Sequence, residues 1–412
     1  MTWLQQKFHP SARLRSIDNY LNSSTAERLT RLKVVLSLAL LCGFLLSYKL
    51  WLSTRDYPLT PVADFLPALP APSDYLAFAL LLLLLAGIGL SGARPRKLIV
   101  SCVVLIALFG LWDQSRWQPW CYQYVFMLLA LACYSWRADD RDGRESALNA
   151  CAFVVAGVYF WSGLQKVNPA FVRELFPTLV EPYMRHLPAS LGVASYWLAP
   201  VVPLAEVGVG VGLLSRKFRT HAILLALALH LSVLALFVPL RRNAVVWPWN
   251  VAMMCFVLLL FWRRGQQTAL QRHALAGNGQ LLSKLALLLF WVMPVFSFFG
   301  YWDAYLSSSF YSGKTIYGFI RVSAEVKESL PPTAQRYTGG RAADGLLYVD
   351  VTRWSFGELN VPPYPAERIY RNIADKICAR APRPAQIALE LHDAPNLFSR
   401  TRNVKHYVCP QL

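Results

Sequence analysis

Charge is what this sequence has least of. Only 16% of its 412 residues are Asp, Glu, Lys or Arg, while 55% are hydrophobic. That balance is too apolar for an ordinary soluble protein and reads as a polytopic membrane protein. The chain also lacks a Walker-type loop, a dinucleotide glycine pattern and HExxH. GxSxG is absent too. Phosphoryl transfer, NAD chemistry and common metallohydrolysis therefore have no support. No CxxC or Cys/His spacing suggests a metal, and none is expected. There is no internal repeat and no low-complexity tract. No small-residue cleavage site follows the first apolar run, so no signal peptide is expected.

What is present is a series of apolar runs long enough, or nearly so, to cross a bilayer. They cover roughly 33–52, 74–92, 97–112, 118–136, 146–165, 191–214, 219–239, 245–262 and 281–300. The third is short, and with the fourth it can form one broken pair. The net charge of +18 raises the question of nucleic acid. The bases, however, sit in short loops between apolar runs, as in cytoplasmic membrane loops, and no nucleic-acid partner is expected. The expected fold is mainly α: a polytopic helical bundle of about nine spans with a small α+β extracytoplasmic C-terminal domain. Residues 1–31 form a cytoplasmic N-terminal segment, 32–300 the bundle and 301–412 a periplasmic tail. Ser24 or Thr25 can cap the first helix.

Orientation follows the bases. The N-terminus, Arg94 to Lys97, Arg137 to Arg144, Arg216 to Arg219 and Arg263-Arg264 alternate with less basic loops. The proline-rich 53–73 loop, with Asp56 and Asp64, is one of these. The N-terminus is then cytoplasmic and, with an odd span count, the tail outside. Arg241-Arg242 breaks the pattern. Residues 170–190, with Phe171, Phe176, Pro177, Tyr183 and Pro188, suggest a lid lying in the membrane interface.

In the tail, 315–324 and 346–353 read as strands, with Gly339-Gly340 marking the turn region between them. Residues 365–380 read as a helix with Ile369, Ile373 and Ile377 on one face. Residues 385–392 and 404–409 are two more candidate strands. Trp354 to Tyr364 reads as a turn packing on the tail core. Six cysteines lie in apolar runs and read as buried hydrophobes. Cys378 and Cys409 stand alone in the tail. A bridge between them would close its small core, and two unrelated thiols are the alternative.

One stretch invites chemistry: Val158-Tyr-Phe-Trp-Ser-Gly-Leu-Gln-Lys166-Val-Asn168-Pro169. A lysine at the end of a span is either an anchor that snorkels to the headgroups or a desolvated base. Glu206 lies within a span and by default marks a functional site with a partner, here Lys166 or His230. The alternative is a protonated acid bonded to helix backbone. Gly208, Gly210 and Gly212 allow a neighbouring helix to come close. His230 is either a satisfied core residue or part of a proton relay with Glu206 and Lys166. The polar and aromatic turn from Asp113 through Arg116, Trp117 and Trp120 to Tyr124 is an aromatic belt with an Asp–Arg pair or the rim of a pocket for a planar lipid. Trp247 and Trp249 fall on the same side.

The stretch around Lys166 resembles the segment around the active-site lysine of vitamin K-dependent gamma-carboxylases and their bacterial HTTM-domain relatives. Asp113-x-x-x-Trp117, Glu206 before a glycine-containing run, and His230 with Phe237 fall in the family's order over roughly 30–300. The resemblance implies that Lys166 acts as base on a reduced, vitamin K-like quinone, with Glu206 and His230 setting its protonation. Asp113, Trp117, Trp120, Tyr159, Trp161 and Asn168 would bind substrate. Trp120 stands where the family has a histidine, and Val233 where it has a polar residue. The tail is also shorter than the carboxylase's lumenal region. The scaffold, the lysine and the quinol chemistry are therefore inherited more safely than glutamate carboxylation. The expectation is a bacterial inner-membrane, carboxylase-like enzyme whose partners are membrane lipids and a periplasmic protein or peptide. The other class is a non-catalytic scaffold presenting its tail to a partner. A transporter would show matched broken spans in two halves, and none are seen.

Overall fold

The computed structural model describes residues 24–63, 65–66, 69, 71–92, 95–134, 141–186, 188, 196–262, 281–379, 381, 387–395 and 401–409. It is mainly helical, with one small antiparallel sheet near the C-terminus. Each apolar run expected from the sequence holds a helix. These are α1 (Thr25–Leu46), α2 (Ser73–Leu90), α3 (Arg96–Trp112), α4 (Pro119–Cys133), α5 (Arg141–Lys166), α7 (Val201–Leu214), α8 (Arg219–Phe237), α9 (Val246–Phe261) and α10 (Leu281–Leu287). Helix α6 (Phe176–Met184) lies between α5 and α7. Four helices, α1, α2, α5 and α8, are long and apolar enough to cross a membrane. Ser24 caps α1 through a reciprocal capping box with Glu27.

Prolines and small residues shape the helix ends. Pro294 cannot donate a backbone hydrogen bond. The chain after α10 accordingly passes through a wide π turn (Leu288–Val292) into a tighter 3-10 segment (Met293–Phe299). Pro169 ends α5, and Asn168 caps the next segment by accepting from the Phe171 N–H at 2.9 Å. The expected interfacial lid is a π turn (Phe171–Leu175) running into α6. Phe171, Phe176 and Val180 bury there with Ala199.

The sheet order is β2–β3–β1–β4–β5, built from Thr338–Arg341, Leu347–Asp350, Tyr317–Val322, Ile387–His392 and Val404–Val408. Helices α11 (Ala324–Ser329) and α12 (Pro332–Arg336) fill the connection from β1 to β2. Helix α14 (Glu367–Cys378) lays Ile369, Ile373 and Ile377 against β1 and β4. A disulfide joins Cys378, at its end, to Cys409 just past β5.

Four local expectations are corrected. Gly339 and Gly340 lie inside β2 at a bulge, and the turn is carried by Gly345 at φ 83°. The strand expected over 346–353 stops at Asp350. Asp350 caps a helix instead, because its carboxylate accepts from the Arg353 N–H at 2.9 Å. That helix, α13 (Val351–Leu359), replaces the expected turn at Trp354. Of the six cysteines in the apolar runs, only Cys102, Cys121 and Cys151 are buried. Cys42 and Cys133 are exposed on the outer surfaces of their helices, and Cys255 is intermediate.

The Trp354–Tyr364 stretch does more than pack on the tail: it bolts the tail to the bundle. Glu358 accepts from the backbone N–H groups of Asp56 at 2.6 Å and Tyr57 at 3.0 Å. It also accepts from the Thr333 hydroxyl at 2.8 Å and the Trp354 indole at 2.9 Å. Asn360 accepts from Ala244 N–H at 3.2 Å and donates to the Leu46 carbonyl at 3.0 Å. Tyr364 donates to Asp303 at 2.6 Å and meets Tyr122 at 3.1 Å. A single buried apolar cluster runs through both parts, from Leu29 to Cys409.

Candidate functional site

Lys166 is the last residue of α5, and its amine is buried. Nζ donates to Glu206 Oε2 at 2.7 Å, to Ser162 Oγ at 2.5 Å and to the Ser162 carbonyl at 3.2 Å. Three acceptors match the three protons of an ammonium group. The Lys166 side chain is 7% exposed and that of Glu206 17%. The face of Phe310 lies beneath the charge, its centroid 5.5 Å from Nζ. Glu206 Oε1 has no hydrogen-bond partner among the described residues, so one carboxylate oxygen remains available.

Glycines bring the pair together. A Cβ on Gly163 would sit 2.6 Å from the Pro203 carbonyl oxygen and 2.7 Å from the Val207 nitrogen, on either side of Glu206 in sequence. A Cβ on Gly210 would sit 2.7 Å from the Phe160 nitrogen. Helices α5 and α7 therefore touch backbone to backbone at both points. Gly212 plays the same part toward Ala222, while Gly208 faces open space. Gly163 was missed as a functional position. Its only signal in the sequence is its place one turn before Lys166, on the side that an acidic partner must approach.

His230 makes no hydrogen bond to either member of the ion pair among the described residues. Its Nδ1 meets Asn250 Oδ1 at 2.7 Å, and the Asn250 amide nitrogen donates to the Val246 carbonyl at 2.7 Å. That bond fixes the asparagine oxygen toward the histidine, so Nδ1 carries the proton and Nε2 accepts. The donor to Nε2 is the Tyr159 hydroxyl. His230 thus holds Tyr159 rather than Lys166. Tyr159, Ser162 and Lys166 follow one another along one face of α5. Asn250, which supports the histidine, follows Trp249 in the second aromatic set, and nothing in the sequence ties it to His230.

The other expected binding residues divide. Trp161 is buried on the adjacent face of α5, near Phe298. Asn168 is a joint: besides its cap to Phe171, its amide donates to the carbonyls of Gln165 and Ser312 at 2.7 and 2.8 Å. Asp113, Trp117 and Trp120 are not joined to Lys166 by any hydrogen bond, ion pair or ring contact among the described residues. Asp113 accepts from Arg55 at 2.5 Å and from the Thr60 hydroxyl at 2.8 Å. Burial pushes its carboxyl up, but the Arg55 and Arg116 charges and the Thr60 bond outweigh it and hold the carboxyl below its ordinary range. Arg116 is itself spent on the carbonyls of Leu50, Phe109 and Trp51. Trp117 fills the space over Gly110 and stacks on Tyr122, while Trp120 packs on Gly43 and Phe44. This turn is a structural hub beneath the tail.

Among the described residues, no group of three or more His, Cys, Asp or Glu converges as a metal set. A cavity of about 140 Å³ lies away from Lys166, between residues 53–59 and the tail, lined in part by Tyr57, Pro331 and Trp354. No protein-family model matches the chain, and no curated protein or solved structure matches it either.

Proposed function

We propose that this is a bacterial inner-membrane enzyme in which the Lys166–Glu206 pair accepts a proton from a hydroxyl of a lipid-soluble substrate, a quinol or similar compound. The observation that carries this reading is the 2.7 Å ion pair with both side chains nearly withdrawn from solvent. Taking such a pair out of water is costly and is weak evidence of a stability role. Before reaction the pair is neutral overall. A substrate proton taken by Glu206 Oε1 leaves a carboxylic acid, an ammonium and an oxyanion. The Lys166 charge then stands beside the new anion, where a low dielectric makes it count most. Tyr159, oriented by His230 and Asn250, supplies a fixed polar group on the same helix face. The resemblance around Lys166 to vitamin K-dependent gamma-carboxylases and HTTM-domain proteins favours a quinol substrate; it gives the base role to the lysine, whereas here Glu206 takes the proton and Lys166 steadies the anion.

In this reading all nine apolar segments cross or enter the bilayer, the N-terminus is cytoplasmic and the tail periplasmic. The Cys378–Cys409 bridge supports an oxidising compartment for the tail. The alternative is a scaffold that presents the tail to a partner protein. The anchoring of the tail through Glu358, Asn360 and Tyr364 favours it, because a rigid mount suits presentation.

One experiment separates the two. The protein and its Lys166→Met/Glu206→Leu double variant are reconstituted in nanodiscs and titrated with a reduced naphthoquinone. Ultraviolet absorbance reports phenolate formation. An enzyme forms the phenolate with the native pair and loses it in the double variant. Equal spectra from both would remove the proton-transfer reading and leave the scaffold.

A further inference from the structure

The last two turns of α5 carry a second polar group on the face next to Lys166. Trp161 Nε1, Gln165 Oε1 and Lys314 Nζ are all fully buried, and each lacks a hydrogen-bond partner among the described residues. They gather around one short element. The ring of Phe298 caps Lys314, with Nζ 3.7 Å from its centroid. Trp161 packs against the same ring at 6.3 Å. Gln165 donates through Nε2 to the Ser297 hydroxyl at 2.7 Å. Ser297 in turn donates to the Pro294 carbonyl at 2.7 Å. The serine oxygen therefore needs a donor, which fixes the amide nitrogen there and leaves Gln165 Oε1 as the free acceptor.

Native proteins rarely leave three such groups together without a partner. Two donors, one of them a cation, and one acceptor are the complement of a phosphate oxygen with a neighbouring hydroxyl. Phe298 offers the cation its ring face. The surface beside the site is apolar: Phe299 is 66% exposed and Tyr301 81%. Aromatic residues of this kind sit at bilayer interfaces.

We infer that Lys314, Trp161 and Gln165 form a binding site for a phosphate head group bearing a free hydroxyl, as in phosphatidylglycerol. Lys314 and Trp161 grip the phosphate oxygens, and Gln165 accepts from the glycerol hydroxyl. The Phe298 ring swings out toward the bilayer as the head group enters. The site uses a different face of α5 from the Lys166–Glu206 pair and does not rest on the proton-transfer reading.

The test uses the full chain purified in a neutral detergent, with thermal unfolding as readout. Phosphatidylglycerol is added in one arm, phosphatidylcholine in a second and soluble glycerol 3-phosphate in a third. At saturating ligand the native protein should gain about 5 °C with phosphatidylglycerol over phosphatidylcholine. Lys314→Met should abolish that gain while unfolding no earlier than the native protein without lipid, because it removes an uncompensated buried cation. Phe298→Ala should keep the gain, since it only uncovers the amine. A Lys314-dependent gain with glycerol 3-phosphate alone would support the site and identify a free phosphate ester as its occupant. Equal gains in native and Lys314→Met protein, or no difference between the two lipids, would overturn the inference.

Discussion

Gly163 and Glu206 occupy the same space from opposite helices: a Cβ on the glycine would fall 2.9 Å from that of the glutamate. The ion pair exists because one residue has no side chain. Gly163→Ala should force α5 and α7 apart at a backbone contact that cannot yield. Overpacking of this kind costs about 1–3 kcal/mol. The expected result is a lower unfolding midpoint together with loss of whatever activity Lys166→Ala loses. Gly208→Ala, which meets nothing within 4 Å, is the control and should be silent.

Removing one member of the pair should hurt more than removing both. Lys166→Met leaves Glu206 buried without its cation, and Glu206→Leu leaves the amine. Breaking a buried pair in this way costs about 3–5 kcal/mol, whereas replacing both with apolar residues is near neutral. The Lys166→Met/Glu206→Leu protein should therefore melt close to the native one. Chemical denaturation of all four proteins in one detergent measures the coupling. A double variant no more stable than the worse single one would show that the two side chains do not act as a pair.

The four membrane-length helices and the buried charges of the pair were legible in the sequence for the same reason. Burying charge in a membrane is costly, so a long apolar run stands out, and so does a Glu or Lys within one. That cost required a partner for Glu206 and left Lys166 and His230 as candidates; the 2.7 Å contact with Lys166 decides between them. The partners of His230 did not follow, because an imidazole is satisfied as well by Tyr159 and Asn250 as by a carboxylate, and composition cannot choose. Asp113, Trp117 and Trp120 left two readings open, and the pairing of Asp113 with Arg55 and Arg116 agrees with the structural one. A polar and aromatic turn has the same residues whether it rims a pocket or, as here, locks a helix connection. The Glu358 contacts that anchor the tail to the bundle were hidden because their partners, Asp56 and Tyr57, lie about 300 residues away and contribute backbone N–H groups, which leave no trace in residue type.

Glu358 should be the residue that keeps the tail seated. Four donors converge on its carboxylate: Asp56, Tyr57, Thr333 and Trp354. Glu358→Ala leaves them facing an empty acceptor, at a cost of about 1–3 kcal/mol for each one that water cannot reach. The tail should then open from the bundle before the bundle melts. Limited proteolysis reads this directly, as faster cleavage near residues 53–60 with the helical signal retained. Unchanged cleavage would show that Asn360 and Tyr364 suffice.

The disulfide closes a loop of 31 residues in the tail. Chain-entropy reasoning assigns such a loop about 3–4 kcal/mol. Reductant should lower the unfolding midpoint of the native protein and leave a Cys378→Ser/Cys409→Ser variant unmoved. Tail fluorescence and bundle helicity should separate on reduction, because the bundle holds no bridge among the described residues. Coincident transitions before and after reduction would mean that the latch transmits the loss to the whole chain.

Lys314 gives the stability of the lipid-free protein a distinctive pH dependence. Burial pushes its amine down from the ordinary 10.5 to about 8. Below about 8 the folded and unfolded chains both carry the proton, and the folded state bears the full penalty of a buried cation. Between about 8 and 10.5 the folded chain has released the proton while the unfolded chain keeps it. Unfolding then takes up a proton, so stability rises with pH across that window. Thermal unfolding of native and Lys314→Met protein from pH 7 to 10 isolates the effect as a difference between two curves. The Met variant should be the more stable at pH 7, and the native protein should close the gap as the pH rises. Parallel curves would mean that the amine is not desolvated in the folded chain, and a gap that widened with pH would reverse the sign argued here.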